Sequence, residues 1–481
     1  MLDEKKILLV HPLGYGKEDA AKDISRKANI MPPLGLASIA AWLDRKGMET
    51  AIVDCYAHPH SDGAIGQYLR GYRPAFIGFS CTTSSFFDGV RIAKAAKKML
   101  PGVRTVFGGP HVSALKEKIL RDYPAVDFVC VGEGEQTLLE LMTADLQDPD
   151  RIARIAGIIH RDRGSVVFNG HRKTTLALDA LPFPAYEKLA GYPEAYTLPI
   201  FNYPKAPSTS CISSRGCPYA CSYCDRSVFR KSFRYNSAQY LHGHLKYLRD
   251  RFGIRHVNFY DDQFTFNRGR VEAFTDLLVE KPLGMTFNCA VRAEHVDFEL
   301  LVRMRRAGCW MVSLGIETGD EKLLARHRQN ADLVMVAKKI RLIKRAGIRV
   351  KGLLMMGLPG ESEASIRRSM DYVFSLPIDD FNLAKFTPFP GSPVYEGIER
   401  RGRFTEKWEK MDCMHFLFIP RGMTAERLET LFVRFYRTHF MRPSVMMGYV
   451  AMLWRSPDSW RRFMANIVHF ARFIRSNRRL G

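Results

Sequence analysis

The first 150 residues alternate short apolar runs with stretches in which apolar residues recur at helical spacing. Apolar runs without polar alternation are typical of strands buried on both faces of a parallel sheet. They predict five strands, at residues 6–11, 50–54, 75–80, 104–108 and 127–131. Helical spacing between them, clearest over residues 34–46 and 86–100, predicts crossover helices. The expected fold is a Rossmann-like, doubly wound α/β domain that binds ligands at the carboxyl ends of its strands.

A second alternating region extends from about residue 208 to residue 395. It predicts six strands, at residues 209–213, 256–262, 286–291, 311–317, 350–357 and 381–388. Helical spacing separates them, for example over residues 237–251, 332–346 and 363–374. Six βα units in succession predict a partial (β/α)6 TIM-like barrel with its chemistry at the carboxyl ends of the strands.

The remaining segments complete the predicted organisation. Residues 153–169 predict a β-hairpin that turns at Asp162-Arg163-Gly164, and prolines mark a linker over residues 176–205. After residue 420 the strand pattern ends and helical spacing prevails. We therefore predict a ligand-binding domain, a hairpin with linker, a barrel and a helical segment, at residues 1–150, 151–205, 206–420 and 421–481.

Composition and charge narrow the class of protein. A hydrophobic fraction of 46% allows a large core, which excludes the disordered and collagen-like classes. The formal net charge of +22 predicts attraction to nucleic acid, an acidic membrane surface, or a phosphorylated or carboxylated ligand. No signal-peptide pattern is visible, and no apolar run reaches the ~18 residues that span a bilayer. We expect a cytoplasmic protein, with a peripheral position on the inner face of the membrane as the alternative.

Four of the ten cysteines lie between Cys211 and Cys224. Cys217, Cys221 and Cys224 follow the spacing C-x3-C-x2-C on the loop that leaves the first barrel strand, and thiolates select zinc or iron–sulfur clusters. Structural zinc usually takes two cysteine pairs, and the sequence has no matching second pair. The spacing therefore favours a [4Fe–4S] cluster with one iron open to a substrate. We interpret Cys211, Cys289 and Cys309 as buried core.

This motif, with Tyr223 before its last cysteine, resembles the radical S-adenosylmethionine superfamily. The resemblance implies that the open iron binds the amine and carboxylate of S-adenosylmethionine. It also implies that reductive cleavage yields a 5′-deoxyadenosyl radical, which abstracts hydrogen from an unactivated carbon.

The landmarks of that superfamily recur at the later strand ends, namely Tyr260-Asp261-Asp262, Gly315-Ile316-Glu317-Thr318-Gly319, Gly357-Leu358-Pro359-Gly360-Glu361 and Thr387-Pro388-Phe389-Pro390. The resemblance implies contacts to S-adenosylmethionine from Tyr223, Asp261, Asp262, Arg292, Glu317, Gly357 and Pro388. Arg292 would pair with the carboxylate of S-adenosylmethionine, and an ordinary surface salt bridge is the alternative.

The first domain lacks a G-x-G-x-x-G fingerprint after its first strand, which disfavours a dinucleotide. Its strand ends carry Ser80-Cys81-Thr82-Thr83, Phe107-Gly108-Gly109-Pro110-His111 and Val131-Gly132-Glu133-Gly134-Glu135. These motifs resemble the cobalamin-binding domain of one radical S-adenosylmethionine subfamily, and a sheet that binds nothing is the alternative. The implied cobalamin contacts are Gly14, Ser80, Thr82, Thr83, Gly108, Gly109, His111, Glu133 and Gly134.

One departure from the cobalamin pattern concerns the lower ligand of cobalt. Tyr56 stands where the D-x-H-x-x-G motif of some cobalamin domains has histidine. We therefore expect cobalt without a protein nitrogen below it, and we interpret the nearby His58 as a surface residue.

The subfamily includes hopanoid and antibiotic C-methylases and the anaerobic magnesium-protoporphyrin ester cyclase. The resemblance thus implies a C-methyltransferase that uses a [4Fe–4S] cluster, S-adenosylmethionine and cobalamin. Alternatives are a radical-initiated oxidative cyclase or rearrangement enzyme, a methylthiotransferase, and a non-catalytic iron–sulfur or corrinoid-binding protein. The implied partners are a small-molecule or lipid-like substrate and an electron donor such as flavodoxin or ferredoxin.

Residues 421–481 contain twelve arginines, no lysine and three acidic residues. Apolar side chains at helical spacing form one face, at Trp460, Phe463, Met464, Ile467, Ala471 and Ile474. Polar side chains interleave with them, at Arg461, Arg462, Asn466, Arg472 and Arg475. The pattern suits an interfacial helix on anionic lipid or a helix docked on the barrel. Nucleic acid is not expected because no recognition module accompanies the charge.

Overall fold

The computed structural model describes residues 2–14, 30–173, 176–330 and 332–467. The first sheet has seven strands in the order β2-β1-β3-β4-β5-β6-β7. Its strands are β1 (Asp3–His11), β2 (Glu49–Asp54), β3 (Pro74–Ser80), β4 (Arg104–Gly108), β5 (Phe128–Cys130), β6 (Ile158–Asp162) and β7 (Ser165–Phe168). The first five are parallel, as predicted, and β6 and β7 are antiparallel.

The predicted hairpin is β6–β7, and it extends the first sheet instead of lying apart from it. The five parallel strands are confirmed, and the hairpin adds two antiparallel strands to the same sheet, which is therefore mixed. The reason is the short β5, which would otherwise expose unpaired amides and carbonyls at the sheet edge. Pairing of β5 with β6, and a hydrogen bond of 2.8 Å from the amide of Val131 to Gly157, cover that edge.

Helices cover both faces of the first sheet. They are α1 (Leu34–Arg45), α2 (Asp62–Gln67), α3 (Phe86–Met99), α4 (Pro110–Leu115), α5 (Glu117–Asp122), α6 (Glu135–Thr143) and α7 (Pro149–Ala153). Alternate residues of β1 enter opposite cores, with Ile7 and Leu9 in the core that contains α1 and Leu8 and Val10 in the core that contains α3. Burial on both faces explains the continuous apolar run in the sequence.

The second sheet is a half-barrel of six parallel strands in the order β15-β14-β13-β12-β11-β8, which confirms the partial barrel. Its strands are β8 (Ser208–Cys211), β11 (His256–Phe259), β12 (Thr286–Val291), β13 (Cys309–Glu317), β14 (Arg349–Met356) and β15 (Asp380–Lys385). A separate antiparallel pair, β9 (Ser214–Arg215) with β10 (Arg234–Tyr235), lies between β8 and β11 in the chain.

The barrel helices are α8 (Ala238–Phe252), α9 (Arg268–Glu280), α10 (Phe298–Arg306), α11 (Glu321–His327), α12 (Leu333–Arg345) and α13 (Glu363–Phe374). Each begins after a residue whose side chain accepts a hydrogen bond from a backbone amide of the first turn, which stabilises the helix start. These residues are Ser237, Asn267, Asp297, Asp320, Asp332 and Ser362.

The chain then forms an antiparallel pair, β16 (Gly402–Phe404) with β17 (Phe418–Pro420), and three helices. The helices are α14 (Ala425–Phe440), α15 (Pro443–Arg455) and α16 (Pro457–Ala465). Trp408, between β16 and β17, belongs to the core of the first domain and approaches the ring of His111 at 4.5 Å. This segment therefore fastens the barrel to the first domain. Among the described residues, no helix combines the length and the apolar character that crossing a bilayer requires.

The three C-terminal helices pack on the barrel and linker. Met452 of α15 shares a core with Trp310 and Met311 at the start of β13. Arg462 donates to the carbonyl of Leu198 at 2.9 Å. Trp460 is turned toward the ring of Phe201, at 5.4 Å. Docking, one of the two interpretations of this segment, is thus observed up to residue 467. Ala471, Arg472, Ile474 and Arg475 lie outside the described residues.

Candidate functional site

A cavity of about 660 Å³ opens where the carboxyl ends of both sheets meet. Ligand sites of parallel α/β sheets and of barrels lie at these strand ends. The first domain contributes Ser80, Gly109, Gly132, Glu133 and Gly134 to its wall, and the barrel contributes Cys217, Cys221, Cys224, Asp262, Arg292 and Glu317. One space therefore joins most of the residues that the sequence assigned to two separate cofactors.

The loop of the three cysteines begins at Gly216, between β9 and β10. Gly216 has φ +87°, and a Cβ there would lie 2.2 Å from the carbonyl oxygen of Ser232, so only glycine fits. Ser222 anchors the loop, because its amide donates to the carbonyl of His327 at 2.9 Å and its hydroxyl lies 2.7 Å from Nδ1 of the same residue. The amide of Val394 donates to Ser222 at 3.0 Å. The loop is thus fixed from α11 and from the segment after β15.

All three cysteines of the loop line the cavity. Cys221 is buried, Cys217 is half-buried and Cys224 is exposed. A hydrogen bond from Cys224 lowers the pKa of Cys221, which favours the thiolate that binds iron. Within the described ranges, no three His, Cys, Asp or Glu side chains are close enough to share one metal ion. Three cysteine thiolates in one wall can each bind a different iron of a cluster and leave the fourth iron open.

Of the residues implied to bind S-adenosylmethionine, Tyr223, Asp262, Arg292 and Glu317 line the cavity with the cysteines. Asp262 lies in the segment that follows β11. Burial raises the pKa of its carboxyl, and the charge of the neighbouring Asp261 raises it further. The structure therefore brings these four side chains together, although they come from four separate strand ends.

Asp261 points away from the cavity. Its buried carboxylate accepts from the amide of Ser213 at 2.6 Å and from the hydroxyl of Ser214 at 2.8 Å, and lies 3.8 Å from Arg270. These contacts fix the chain between β8 and β9. Gly357 and Pro388 are likewise not among the described residues that line this cavity. The amide of Gly357 is engaged by the carboxylate of Glu361.

Arg292 forms an ion pair with Glu294, as one of its two interpretations predicted, but the arginine itself is buried and lines the cavity. Its Nε donates to Glu294 at 2.8 Å, and Nη2 donates to the carbonyl of Gln329 at 2.8 Å. The guanidinium also lies 3.7 Å from the ring centroid of Tyr219. These contacts hold a cation at a fixed position in the wall of the site.

Glu317 occupies a strained position at the end of β13. Its φ is +66°, which is uncommon for a residue other than glycine, and the register of β13 with β14 shifts there. Burial raises the pKa of its carboxyl to about 7, although the charge of Arg328 opposes the rise. Backbone strain of this kind concentrates at functional sites.

In the first domain, Ser80, Gly109, Glu133 and Gly134 line the cavity, and Gly108 lines an adjoining slot of about 50 Å³. A Cβ at Gly109 would lie 2.6 Å from the carbonyl oxygen of Cys81, and Gly109 has φ +99°. A Cβ at Gly134 would lie 2.8 Å from Ile39. Glycines thus keep this wall open for close approach of a bulky ring, which fits a corrin.

Four residues implied to bind cobalamin do not line either cavity among the described residues: Gly14, Thr82, Thr83 and His111. The hydroxyl of Thr83 lies 3.3 Å from Nδ1 of His111. The His111 ring is fully buried, 4.6 Å from that of Phe86, and burial lowers its pKa to about 3. His111 follows Pro110 at the first turn of α4, which turns its side chain into the core between α3 and Trp408.

His58, interpreted from the sequence as a surface residue, contacts the linker. Its Nε2 lies 2.9 Å from the carbonyl oxygen of Ala190 in the linker. Asp54, at the end of β2, pairs with His11 at 2.8 Å and accepts from the amide of Tyr56 at 2.9 Å. His58, Asp54 and Tyr56 are not among the described residues that line the cavity.

The sequence did not point to the buried charges between the two domains. Arg215 pairs with Glu133 and with Glu135, each at 2.6 Å, and Arg234 pairs with Glu133. Ser38 of α1 donates to Glu135 at 2.8 Å. The available signal was the position of Arg215 directly before the Gly216-Cys217 pair, but its partners lie about eighty residues away in the chain.

Comparison with known families agrees with this arrangement. Residues 24–142 match the B12 binding domain, and residues 211–373 match the radical SAM superfamily. The protein is therefore a cobalamin-dependent radical S-adenosylmethionine enzyme, and its cofactors are a [4Fe–4S] cluster, S-adenosylmethionine and cobalamin. The non-catalytic alternative is thereby excluded.

Relatives of this chain include methyltransferases and cyclases. An uncharacterized methyltransferase of Pyrococcus horikoshii is 28% identical over 451 residues, which cover 92% of this chain and 94% of the relative. The anaerobic magnesium-protoporphyrin IX monomethyl ester cyclase of Rubrivivax gelatinosus is 24% identical over 92% of this chain and 78% of its own. The hopanoid C-2 methylase of Rhodopseudomonas palustris is 26% identical, with coverages of 85% and 72%.

Solved structures share the fold. The radical S-adenosylmethionine methyltransferase TsrM from Kitasatospora setae, with cobalamin and a [4Fe–4S] cluster bound, superposes with a TM-score of 0.69 at 17% identity. The match covers 92% of this chain and 90% of TsrM. The cobalamin-dependent radical enzyme OxsB gives a TM-score of 0.64 at 17% identity, with coverages of 90% and 61%.

Proposed function

We propose that this enzyme transfers a methyl group to an unactivated carbon of a small-molecule or lipid-like substrate. The observation that carries the proposal is the shared cavity, into which the glycine-lined wall of the cobalamin domain and the cysteine loop of the barrel both open. A methyl carrier on one side and a radical source on the other would then act on one bound substrate. The Pyrococcus relative, which matches over nearly its whole length, is named a methyltransferase and supports this choice.

Within this proposal, Cys217, Cys221 and Cys224 hold the cluster. When bound, the cofactors supply what side chains cannot: one-electron cleavage of S-adenosylmethionine at the cluster, and carriage of a methyl group on cobalt. The protein binds and orients them. Arg292, fixed by Glu294 and Tyr219, is placed to pair with the carboxylate of S-adenosylmethionine.

The remaining wall residues have binding and shielding roles in the proposal. Glu317 and Asp262 offer oxygens to hydroxyl and amine groups of S-adenosylmethionine, and Tyr223 closes the wall behind the cysteines. Ser80 and Gly109 border the corrin. Glu133 also faces the cavity, but Arg215 and Arg234 engage its carboxylate, so we assign it a positioning role.

A cytoplasmic one-electron donor completes the proposal. Reduction of the cluster needs a donor such as flavodoxin or ferredoxin. All ten cysteines are free of disulfides, which is typical of a reducing compartment.

The test is anaerobic turnover with S-adenosylmethionine labelled in its methyl group, using protein reconstituted with iron, sulfide and cobalamin. We expect label in a product other than methionine, together with S-adenosylhomocysteine. Formation of 5′-deoxyadenosine with label in methionine and in no other product would reject methyl transfer.

The same experiment separates the second candidate, an oxidative cyclase or rearrangement enzyme. The magnesium-protoporphyrin cyclase of Rubrivivax, similar over 92% of this chain, favours it. A cyclase would form 5′-deoxyadenosine and leave the label in methionine. A methylthiotransferase is weaker, because the chain has no second set of three closely spaced cysteines.

A further inference from the structure

The outer face of α15 carries a stripe of exposed apolar side chains. Met447 and Trp454 are 66% and 78% exposed. The stripe also contains Met446, Val450 and Leu453, at spacings that place all five on one side of the helix. The opposite side, with Val445 and Met452, is buried against the barrel. A helix that is apolar all round is normally buried all round. Among the described residues, nothing covers the outer stripe of α15.

The surroundings of the stripe are basic. Arg455 ends α15 and is the only charged residue of that helix. Arg461 follows on α16, with its side chain 81% exposed, and the exposed Met464 lies one turn further along the same side. Residues 421–481 together carry twelve arginines against three acidic residues. A second copy of this chain would therefore bring like charge against like charge.

We propose that α15 docks this enzyme on an anionic lipid bilayer. The stripe of Met446, Met447, Val450, Leu453 and Trp454 enters the boundary between headgroups and acyl chains, and Arg455 and Arg461 meet the lipid phosphates. Apolar residues with tryptophan on one face and arginine beside them are the features of helices that lie in the membrane interface. A tryptophan at the edge of such a face suits the headgroup level.

The position of α15 determines which end of the barrel would face the membrane. Met452, on its buried side, packs on Trp310 and Met311 at the start of β13, whereas Glu317 lines the cavity at the end of that strand. The docking face thus lies at the end of the barrel away from the cavity. Docking anchors the enzyme at the membrane without closing the cavity, and it does not depend on whether methyl transfer is the reaction.

Vesicle flotation of the full chain, with its cluster reconstituted, tests the proposal. We expect flotation with vesicles of equal parts phosphatidylglycerol and phosphatidylcholine, and about tenfold less with phosphatidylcholine alone. The double variant Met447→Glu/Trp454→Glu places two negative charges on the stripe and should float about tenfold less than wild type on the anionic vesicles. The matched control is Val334→Glu on α12, a residue 79% exposed and distant in sequence, which should float like wild type.

Tryptophan fluorescence supplies a second readout. Trp454 is the one exposed tryptophan, since Trp42, Trp310 and Trp408 are buried and Trp460 is half-buried. Anionic vesicles should shift the emission to shorter wavelength and protect it from acrylamide, and Trp454→Phe should abolish both changes.

Several results would overturn the proposal. One is wild type that fails to float with anionic vesicles, and another is a double variant that floats like wild type. A third is Trp454 already shielded from acrylamide without vesicles, because another part of the chain would then cover the stripe. A fourth is a dimer in sedimentation velocity that the double variant does not form.

Formation of 5′-deoxyadenosine by the double variant without vesicles should equal that of wild type, which separates failed docking from failed catalysis.

Discussion

Arg215 and Glu133 form an ion pair, with 2.6 Å between nitrogen and oxygen, that ties the cysteine loop of the barrel to the first domain. The other terminal nitrogen of Arg215 reaches Glu135 at 2.6 Å. Burial alone would raise the pKa of Glu135, but the charge and hydrogen bond of Arg215, together with hydrogen bonds from the backbone and from Ser38, hold that pKa below its usual value. One guanidinium thus fixes the distance between the turn after β5 and the start of the cysteine loop.

Replacing Arg215 by alanine should destabilise the apoprotein, since the buried Glu135 loses its cation and Glu133 keeps only Arg234. We expect Arg215→Ala to lower the free energy of unfolding by about 3–5 kcal/mol in urea titrations followed by circular dichroism. Adding Glu135→Gln should recover most of the loss. The matched control is Arg367→Ala, whose exposed pair with Glu363 on α13 is screened by solvent and contributes little to stability. A loss for Arg215→Ala no larger than for this control would contradict the buried-bridge account.

The same variant should change the pH dependence of stability. In wild type, the lowered pKa of Glu135 means that its contribution is present above the unfolded-state value and is lost as pH falls through the folded-state value. In Arg215→Ala, burial without the cation would raise that pKa, so the variant regains stability as pH falls. The gap in unfolding free energy between the two proteins should narrow from about pH 8 to about pH 5. A gap that widens on acidification would show that Glu135 does not carry the effect.

Asp261 and Asp262 show which structural features a local sequence pattern can predict and which it cannot. Buried strands are continuous apolar runs and the three cysteines are close in the chain, so both sheets and the cluster loop could be predicted locally. Asp261 and Asp262 follow the same strand, yet one fixes Ser213 and the other faces the cavity. Which of two adjacent carboxylates turns inward depends on Arg270 and Ser213, contacts that no local pattern contains.

His111 and Arg215 also show what a local sequence pattern cannot predict. The position of His111 after Gly108-Gly109 suggested a ligand contact, but the start of α4 turns it into an aromatic core. Arg215 looked like an ordinary flanking residue, and its role depends on carboxylates of another domain. The strand ends could be predicted from the sequence, whereas packing between the domains determines which side chains line the cavity.

Removal of single cysteines tests the cluster assignment. The variants to test are Cys217→Ala, Cys221→Ala and Cys224→Ala. Each should lose the visible absorption of the reconstituted cluster and form no 5′-deoxyadenosine, because each of the three thiolates holds one iron of the cluster. The control is Cys413→Ala, a half-buried cysteine that does not line the cavity among the described residues. It should retain both signals. Undiminished iron and sulfide in all three loop variants would contradict the assignment.

Gly109 should be intolerant of a side chain for a steric reason beyond its backbone angle. A Cβ there would lie 2.6 Å from the backbone of Cys81, whereas the Cβ of an alanine at Gly170, with φ +80°, would meet nothing within 4 Å. Gly109→Ala should therefore cost more stability than the roughly 1 kcal/mol expected for Gly170→Ala from strain alone. It should also lower the cobalamin bound per protein, measured by absorbance after gel filtration. Equal stability and cobalamin content in the two variants would argue against close packing at Gly109.

Glu361 should make the protein less stable at alkaline pH. Its carboxyl is buried and accepts from the amides of Gly357 and Leu358, and burial raises its pKa to about 8. A pKa raised in the folded state contributes stability below the unfolded-state value and loses it as pH rises through the folded-state value. Glu361→Gln keeps an acceptor for both amides and never ionises.

The unfolding free energy of this variant relative to wild type should therefore grow by about 1.4 kcal/mol per pH unit from about pH 5 to about pH 8 and level off above that range. Urea titrations of the apoprotein at several pH values measure the difference. The control Glu363→Gln removes an exposed carboxylate whose pKa is lowered by Arg427 and Arg367, so it should show no gain on alkalinisation. A difference in unfolding free energy between Glu361→Gln and wild type that stays constant from acid to alkaline pH would contradict this prediction. Glu361 would then be ionised in the folded protein, and water or a rearranged backbone would have to stabilise its charge.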